Sequence, residues 1–149
     1  EIVFSYLLDN NINVNRQVSI KKIKINNNII DNSYSNRLLF DFYFIYNNIT
    51  HCIEYDGELH FDKNALSGYI QRKSNKILDS QTINNIFLNY RNNDIQKTNF
   101  CKKYKIKLLR IHYSQQSNIS QLIDIFINSD YTDRFNPYIS NIDYYKEIV

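Results

Sequence analysis

Residues 40–60 read Phe-Asp-Phe-Tyr-Phe-Ile-Tyr-Asn-Asn-Ile-Thr-His-Cys-Ile-Glu-Tyr-Asp-Gly-Glu-Leu-His. Two runs of β-branched and aromatic residues flank Asn47-Asn48, the pattern of a hairpin over 37–56. Asn tolerates positive φ, so the pair suits a two-residue turn. With that turn, Tyr46 faces Ile49, and counting outward sets Asp41 opposite Glu54. Asp56 shares a face with Glu54, because side chains alternate along a strand. One face then holds Phe40, Phe42, Phe44, Tyr46, Ile49, His51, Ile53 and Tyr55; the other holds Asp41, Tyr43, Ile45, Thr50, Cys52, Glu54 and Asp56. Both faces carry apolar side chains, as in a layered α/β domain.

Like charges directly opposite on a sheet repel across about 5 Å, and burial strips away the water that screens them. A divalent cation relieves the repulsion, and clustered carboxylates suit Mg²⁺ or Mn²⁺. Removing either acid is expected to weaken Mg²⁺ or Mn²⁺ binding yet leave folding intact or improve it, because the repulsion goes too. The bland alternative is an exposed hairpin end with solvated acids. Gly57 follows Asp56 in a chain with two glycines, and glycine there permits a sharp exit or close approach of a ligand.

Arg37-Leu-Leu-Phe-Asp41-Phe-Tyr and Ile53-Glu-Tyr-Asp-Gly-Glu-Leu-His60 resemble the core of the PD-(D/E)xK nuclease superfamily. The likeness is strongest to its branch of very-short-patch-repair-like, phage and homing endonucleases, and it extends over residues 1–113. The resemblance implies an α/β, restriction-endonuclease-like αβββαβ core: a central mixed sheet flanked by helices, with Asp41 and Glu54 binding the metal. It also implies a downstream acid on a helix, supplied by Asn93-Asp94-Ile-Gln-Lys97, and then a strand such as Lys107-Leu-Leu-Arg-Ile111. Two departures stand out. Leu59 replaces the glutamine that relatives often carry before the histidine, and Asp56 occupies the place of the superfamily's lysine.

The 149 residues suffice for one domain with a real core. We read 1–128 as that domain and 129–149, Tyr-rich around Pro137, as an extension that is either a packed tail or a partner-binding segment. The apolar content of 43% excludes general disorder, and no run approaches the ~20 apolar residues of a membrane span. Asn, Ile, Lys and Tyr are abundant while Gly and Pro are scarce, a bias of AT-rich coding sequence that weakens arguments from lysine content. A net charge of +3 is compatible with nucleic acid but does not identify it. Cys52 and Cys101 have no metal-type spacing. With no visible secretory signal, the expectation is a reduced protein of the cytoplasm or nucleus, not a secreted one. The chain has no Met, so a native start, and with it an additional domain, is expected upstream of residue 1.

Elsewhere the pattern predicts a short helix at 1–9, a strand from Arg16 to Ile25 with an irregularity at Lys21-Lys22, and a polar connection at 26–36. Residues 61–81 suit a loop or short helix over the site, or a solvated connector. Ile83, Phe87, Tyr90, Asp94, Lys97, Cys101 and Tyr104 form one stripe of a helix over 82–104. Asp94 and Lys97 interrupt that apolar stripe and demand partners if buried; at the helix edge they would be a weak surface pair. A strand at 107–113 and a helix at 118–128 follow, with Asn118 and Gln121 as a capping box.

The expected function is hydrolysis of DNA phosphodiester bonds with Mg²⁺ or Mn²⁺. Asp41, Glu54 and Asp56 form the metal shell, His60 is the general base or acid, Asp94 supports His60 or the shell, and Lys97 neutralises phosphate charge. Glu58 ranks below these acids. Lys102, Lys103 and Arg110 are candidate DNA contacts, as are Lys21, Lys22 and Lys24, although such clusters are more often solvated surface. Two rivals remain: a nucleic-acid-binding module on a nuclease-like fold without catalysis, and a carboxylate-pair hydrolase such as a glycosidase, which needs no metal.

Overall fold

A computed structural model of the chain describes residues 1–24, 33–129 and Tyr145. Helix α1 (Ile2–Asp9) leads into strand β1 (Val14–Ser19), the hairpin β2 (Leu39–Tyr46) and β3 (Ile49–Asp56), helices α2 (Lys63–Ser74) and α3 (Ser80–Lys103), strand β4 (Lys107–His112) and helix α4 (Ile119–Asn128). The sheet order is β1-β2-β3-β4. The first two pairings are antiparallel and β3–β4 is parallel. A parallel neighbour needs a crossover, and α2 with α3 supplies it. The fold is therefore α/β, a mixed four-stranded sheet flanked by helices.

The turn forms as the two asparagines require: Asn47 and Asn48 sit at φ 49 and 61, the positive values of a two-residue hairpin turn. The register runs from Tyr46↔Ile49 to Phe42↔Ile53, as counting from the turn demands. Past that point Asp41 takes the Tyr55 backbone N–H on its own Oδ2 at 2.8 Å.

Strict alternation fails at the same place. Phe42 and Phe44 join the core made with α1 and α4, whereas Phe40 packs with Tyr43, Cys52 and Phe100 on the α3 side. The β1–β2 ladder skips Gln17 and Asp41, and Gln17 has φ 50. Strand β1 shows the same change of face, with Val14 in one core and Val18 against the other. Its expected span of 16–25 is also corrected. A single helical turn, Ile20–Lys22, ends the strand, where the Lys21 N–H donates to Ser19 Oγ. Residues 25–32 of the connection lie outside the described residues.

Residues 61–81 are largely helical. Asp62 caps α2 by accepting the N–H groups of Asn64 and Ala65, and Asp79 caps α3 through the Thr82 N–H, the usual role of a carboxylate at that position. The expected capping box at Asn118 does not form. Two short helical turns over Tyr113–Asn118, joined across a kink at Gln115, lead into α4, leaving Asn118 at φ −111, ψ 8 instead of the extended backbone a cap needs. Of the extension, Ser129 and Tyr145 are described, and Tyr145 is buried in the α1–α4 core. No helix among the described residues is long and apolar enough to cross a membrane.

Candidate active site

Strand β3 delivers Glu54 and Asp56 to the face covered by α3, whose buried stripe contains Asp94 and Lys97. β4 adds Arg110, directly beside Glu54 in the parallel ladder. Gly57 ends β3, and a short helical turn, Glu58–His60, brings His60 back towards α3. Glu54, Asp56, Asp94 and Arg110 are at most 2% exposed and Lys97 is 8% exposed. Charges so deeply buried persist only when they compensate one another.

They do so as one network. Lys97 Nζ pairs with Glu54 Oε2, lies 3.9 Å from Asp94 Oδ1 and donates to the Leu39 carbonyl. Arg110 grips Asp56 with Nε at 2.8 Å and Nη2 at 2.6 Å, the paired geometry that makes arginine–carboxylate contacts strong. Its Nη2 also lies 2.6 Å from Asp94 Oδ1. His60 Nδ1 is 2.9 Å from Asp94 Oδ2, and Tyr145 Oη donates to Asp56 Oδ2 at 2.7 Å. The carboxylates of Glu54, Asp56 and Asp94 thus face Lys97, Arg110 and His60, and the charges balance when His60 is protonated.

Burial pushes the Glu54 carboxyl up to about 7, against the pull of Lys97 and Arg110 and with the help of the Asp41 and Asp56 charges. For His60 burial acts downward, but the hydrogen bond and charge of Asp94 outweigh it and raise the imidazole above its ordinary value. Asp94 is held well below the usual carboxylate range: its burial is overcome by His60 and Arg110. Lys97 is raised despite burial because Glu54 lies against it. The ring of His60 stacks near Tyr90, 5.7 Å between centroids. His60, Tyr90, Asn93, Asp94 and Lys97 line a cleft of ≈ 340 Å³.

Of the residues singled out in the sequence, Glu54, Asp56, His60, Asp94 and Lys97 come together. Asp41 stands to one side. Its Oδ1 accepts from Gln17 Nε2 at 2.9 Å, and it lines a separate cavity of ≈ 470 Å³ with Ile2, Arg16 and Tyr55. It remains close enough for its charge to act on Glu54. Asp56 is committed to Arg110 and Tyr145. Arg110 is corrected outright: it is fully buried, drawn inward by Asp56 and Asp94, and cannot reach a DNA backbone. Lys102 and Lys103 are exposed at the end of α3, whereas Lys107 is buried and donates to the Ser129 carbonyl at 2.6 Å. His51 is buried and stacked on Phe44, a core residue.

The structural roles of Arg110 and Tyr145 escaped the sequence reading. For Arg110 a signal existed, since a charge inside the apolar strand 107–111 needs a buried partner. For Tyr145 no local pattern offered one.

Two features bear on a metal. The side-chain ligand atoms of Asp56, His60 and Asp94 lie within 4.8 Å of one another. The expected triad of Asp41, Glu54 and Asp56 forms no such group among the described residues. Glu54 Oε1, however, is buried and accepts no hydrogen bond among them. No family model, curated protein or solved structure matches the chain.

Proposed function

We propose that the chain is a divalent-metal-dependent endonuclease of the PD-(D/E)xK type, hydrolysing DNA phosphodiester bonds on a restriction-endonuclease-like fold. The observation that carries this reading is the Glu54 carboxylate: buried, pushed up to about 7, paired through one oxygen with Lys97 and left with Oε1 unsatisfied. An orphan oxygen of this kind costs roughly 1–3 kcal/mol or more, and a cation satisfies it.

In this reading Glu54 Oε1 would be the first oxygen offered to Mg²⁺ or Mn²⁺, ions that take carboxylate oxygens, and Asp41 would join it by giving up its contacts to Gln17 and Tyr55. Arg110 and His60 already engage Asp56 and Asp94, so in this reading these two carboxylates position those side chains instead of ligating the metal. When bound, the metal supplies Lewis acidity towards a phosphoryl oxygen and a more acidic water.

The rest of the chemistry belongs to side chains. In its neutral form His60 donates its Nδ1–H to Asp94 Oδ2, which fixes the tautomer and leaves Nε2 to accept a proton from the attacking water. Lys97, lining the cleft beside Asp94, places positive charge where the phosphate gathers negative charge. Asp56 and Arg110 hold the base of the cleft in register. Free, buried Cys52 and Cys101 agree with a reducing, intracellular setting.

One observation favours a second reading. Asp56 and Asp94 already spend their oxygens on Arg110, Tyr145 and His60, which suits a nucleic-acid-binding module that does not cut. Plasmid cleavage in Mg²⁺ separates the two: wild type nicks or linearises DNA while Asp41→Asn and His60→Ala are each reduced at least a hundredfold. An inactive wild type that still binds DNA in chelator supports the binding module instead.

A further inference from the structure

Strand β1 borders an open groove of ≈ 630 Å³. Arg16, Lys22 and Lys24 line it with the amides of Asn13, Asn15 and Gln17, and among the described residues no carboxylate does so. Lys22 and Lys24 are exposed, and neither pairs with an acid among the described residues. Arg16 Nη1 comes within 3.6 Å of Glu1 Oε2, an exposed contact of the kind that holds weakly. A concavity whose described lining is cationic and amide-rich concentrates anions, and its amides suit phosphate oxygens.

The groove adjoins a second cavity across β1. Arg16 and Gln17 line it and also line the neighbouring cavity that contains Asp41, where Gln17 Nε2 donates to Asp41 Oδ1. We infer that the groove binds the phosphodiester backbone of a nucleic acid through Lys22, Lys24 and Arg16 and leads the strand to Asp41. The choice of nucleic acid as occupant rests on the proposed nuclease reading. The sequence offers Lys102 and Lys103 as a competing track, but these lie at the end of α3 and line none of the three cavities.

The test is fluorescence anisotropy with a labelled DNA duplex in EDTA, so that nothing is cut, from low to moderate salt. Wild type is compared with Lys22→Ala/Lys24→Ala and with Lys102→Ala/Lys103→Ala. The groove variant is expected to bind more weakly and to lower the slope of log affinity against log salt by about 2, one for each lysine, while the α3 variant matches wild type. Wild-type affinity and slope in the groove variant would overturn the inference, as would the same loss in the α3 variant alone. Displacement of the duplex by poly(glutamate) as readily as by unlabelled DNA would also overturn it, marking a general anion site. The two claims fail separately. Lysine-dependent binding without cleavage in Mg²⁺ sinks the nuclease reading and leaves the groove standing. Cleavage with lysine-independent binding does the reverse. No binding by wild type sinks the groove outright.

Discussion

Replacing Asp94 by Asn changes the charge at the centre of the network without changing its shape. In the native protein Asp94 Oδ2 sits 2.9 Å from His60 Nδ1 and Oδ1 sits 2.6 Å from Arg110 Nη2. Asparagine keeps one carbonyl oxygen for Arg110, which also retains both contacts to Asp56. The stability cost is therefore that of one weakened charged hydrogen bond, about 2 kcal/mol, and not the larger cost of stranding a buried ion. The cost to catalysis is greater. An amide N–H facing Nδ1 turns that nitrogen into an acceptor and moves the ring proton to Nε2, removing the base. Loss of tautomer control of this kind costs roughly 10⁴ in rate in a Ser-His-Asp triad, and about 10³ or more is expected here, some 4 kcal/mol of barrier.

The pH dependence gives a second readout. His60 lies above its ordinary 6.5 because Asp94 outweighs burial, so its stabilising contribution is complete below 6.5 and is lost as pH rises through the raised value. Cleavage rises through the same limb as the base is unmasked. In Asp94→Asn burial and the Arg110 charge are opposed only by the Asp56 charge, and the imidazole falls. Cleavage kinetics against pH, urea melts and NMR titration of His60 check each part. A His60 titration unchanged in Asp94→Asn, or full activity in that variant, would refute the reasoning.

Glu54→Gln leaves Lys97 buried with its nearest remaining carboxylate 3.9 Å away and is expected to cost about 3–5 kcal/mol in urea melts, the opposite of the expectation from acid–acid repulsion alone. Lys97→Met costs less, since a Glu54 carboxyl already at about 7 simply stays protonated, and the double variant costs less than the sum; strict additivity would show that the pair is not coupled. Tyr145→Phe removes the hydroxyl that donates to Asp56 at 2.7 Å and should cost about 2 kcal/mol; unchanged stability would take Tyr145 off Asp56. Burial lowers His51 from 6.5 to about 4, so stability should fall by roughly 3 kcal/mol as pH drops through that window. His51→Leu should flatten the pH dependence, and an equally steep loss in that variant would assign it to other groups.

The hairpin was legible because its information is local: two asparagines at positive φ fix the register, and register fixes which side chains share a face. The stripe of α3 was legible for the same reason; together with the family resemblance it set Asp94 towards His60 or the carboxylates, and Asp94 does meet His60 at 2.9 Å. Asp41 was misplaced because a residue on another strand, Gln17, breaks the ladder opposite it. Nothing in the periodicity of 40–46 records that event. Arg110 was misread as surface because lysines surround it in sequence, while the carboxylates that bury it come from β3 and α3. Tyr145 reaches Asp56 across 89 residues of sequence, a separation no local pattern encodes.

The most direct test of the central claim is a plasmid cleavage time course with the wild-type chain, stripped of metal by EDTA and then titrated with excess Mg²⁺ or Mn²⁺. The expected result is no cleavage in chelator and cleavage that appears and saturates as the free cation rises, through the unsatisfied oxygen of Glu54. Equal cleavage in EDTA, or an intact plasmid at every metal concentration, would contradict it.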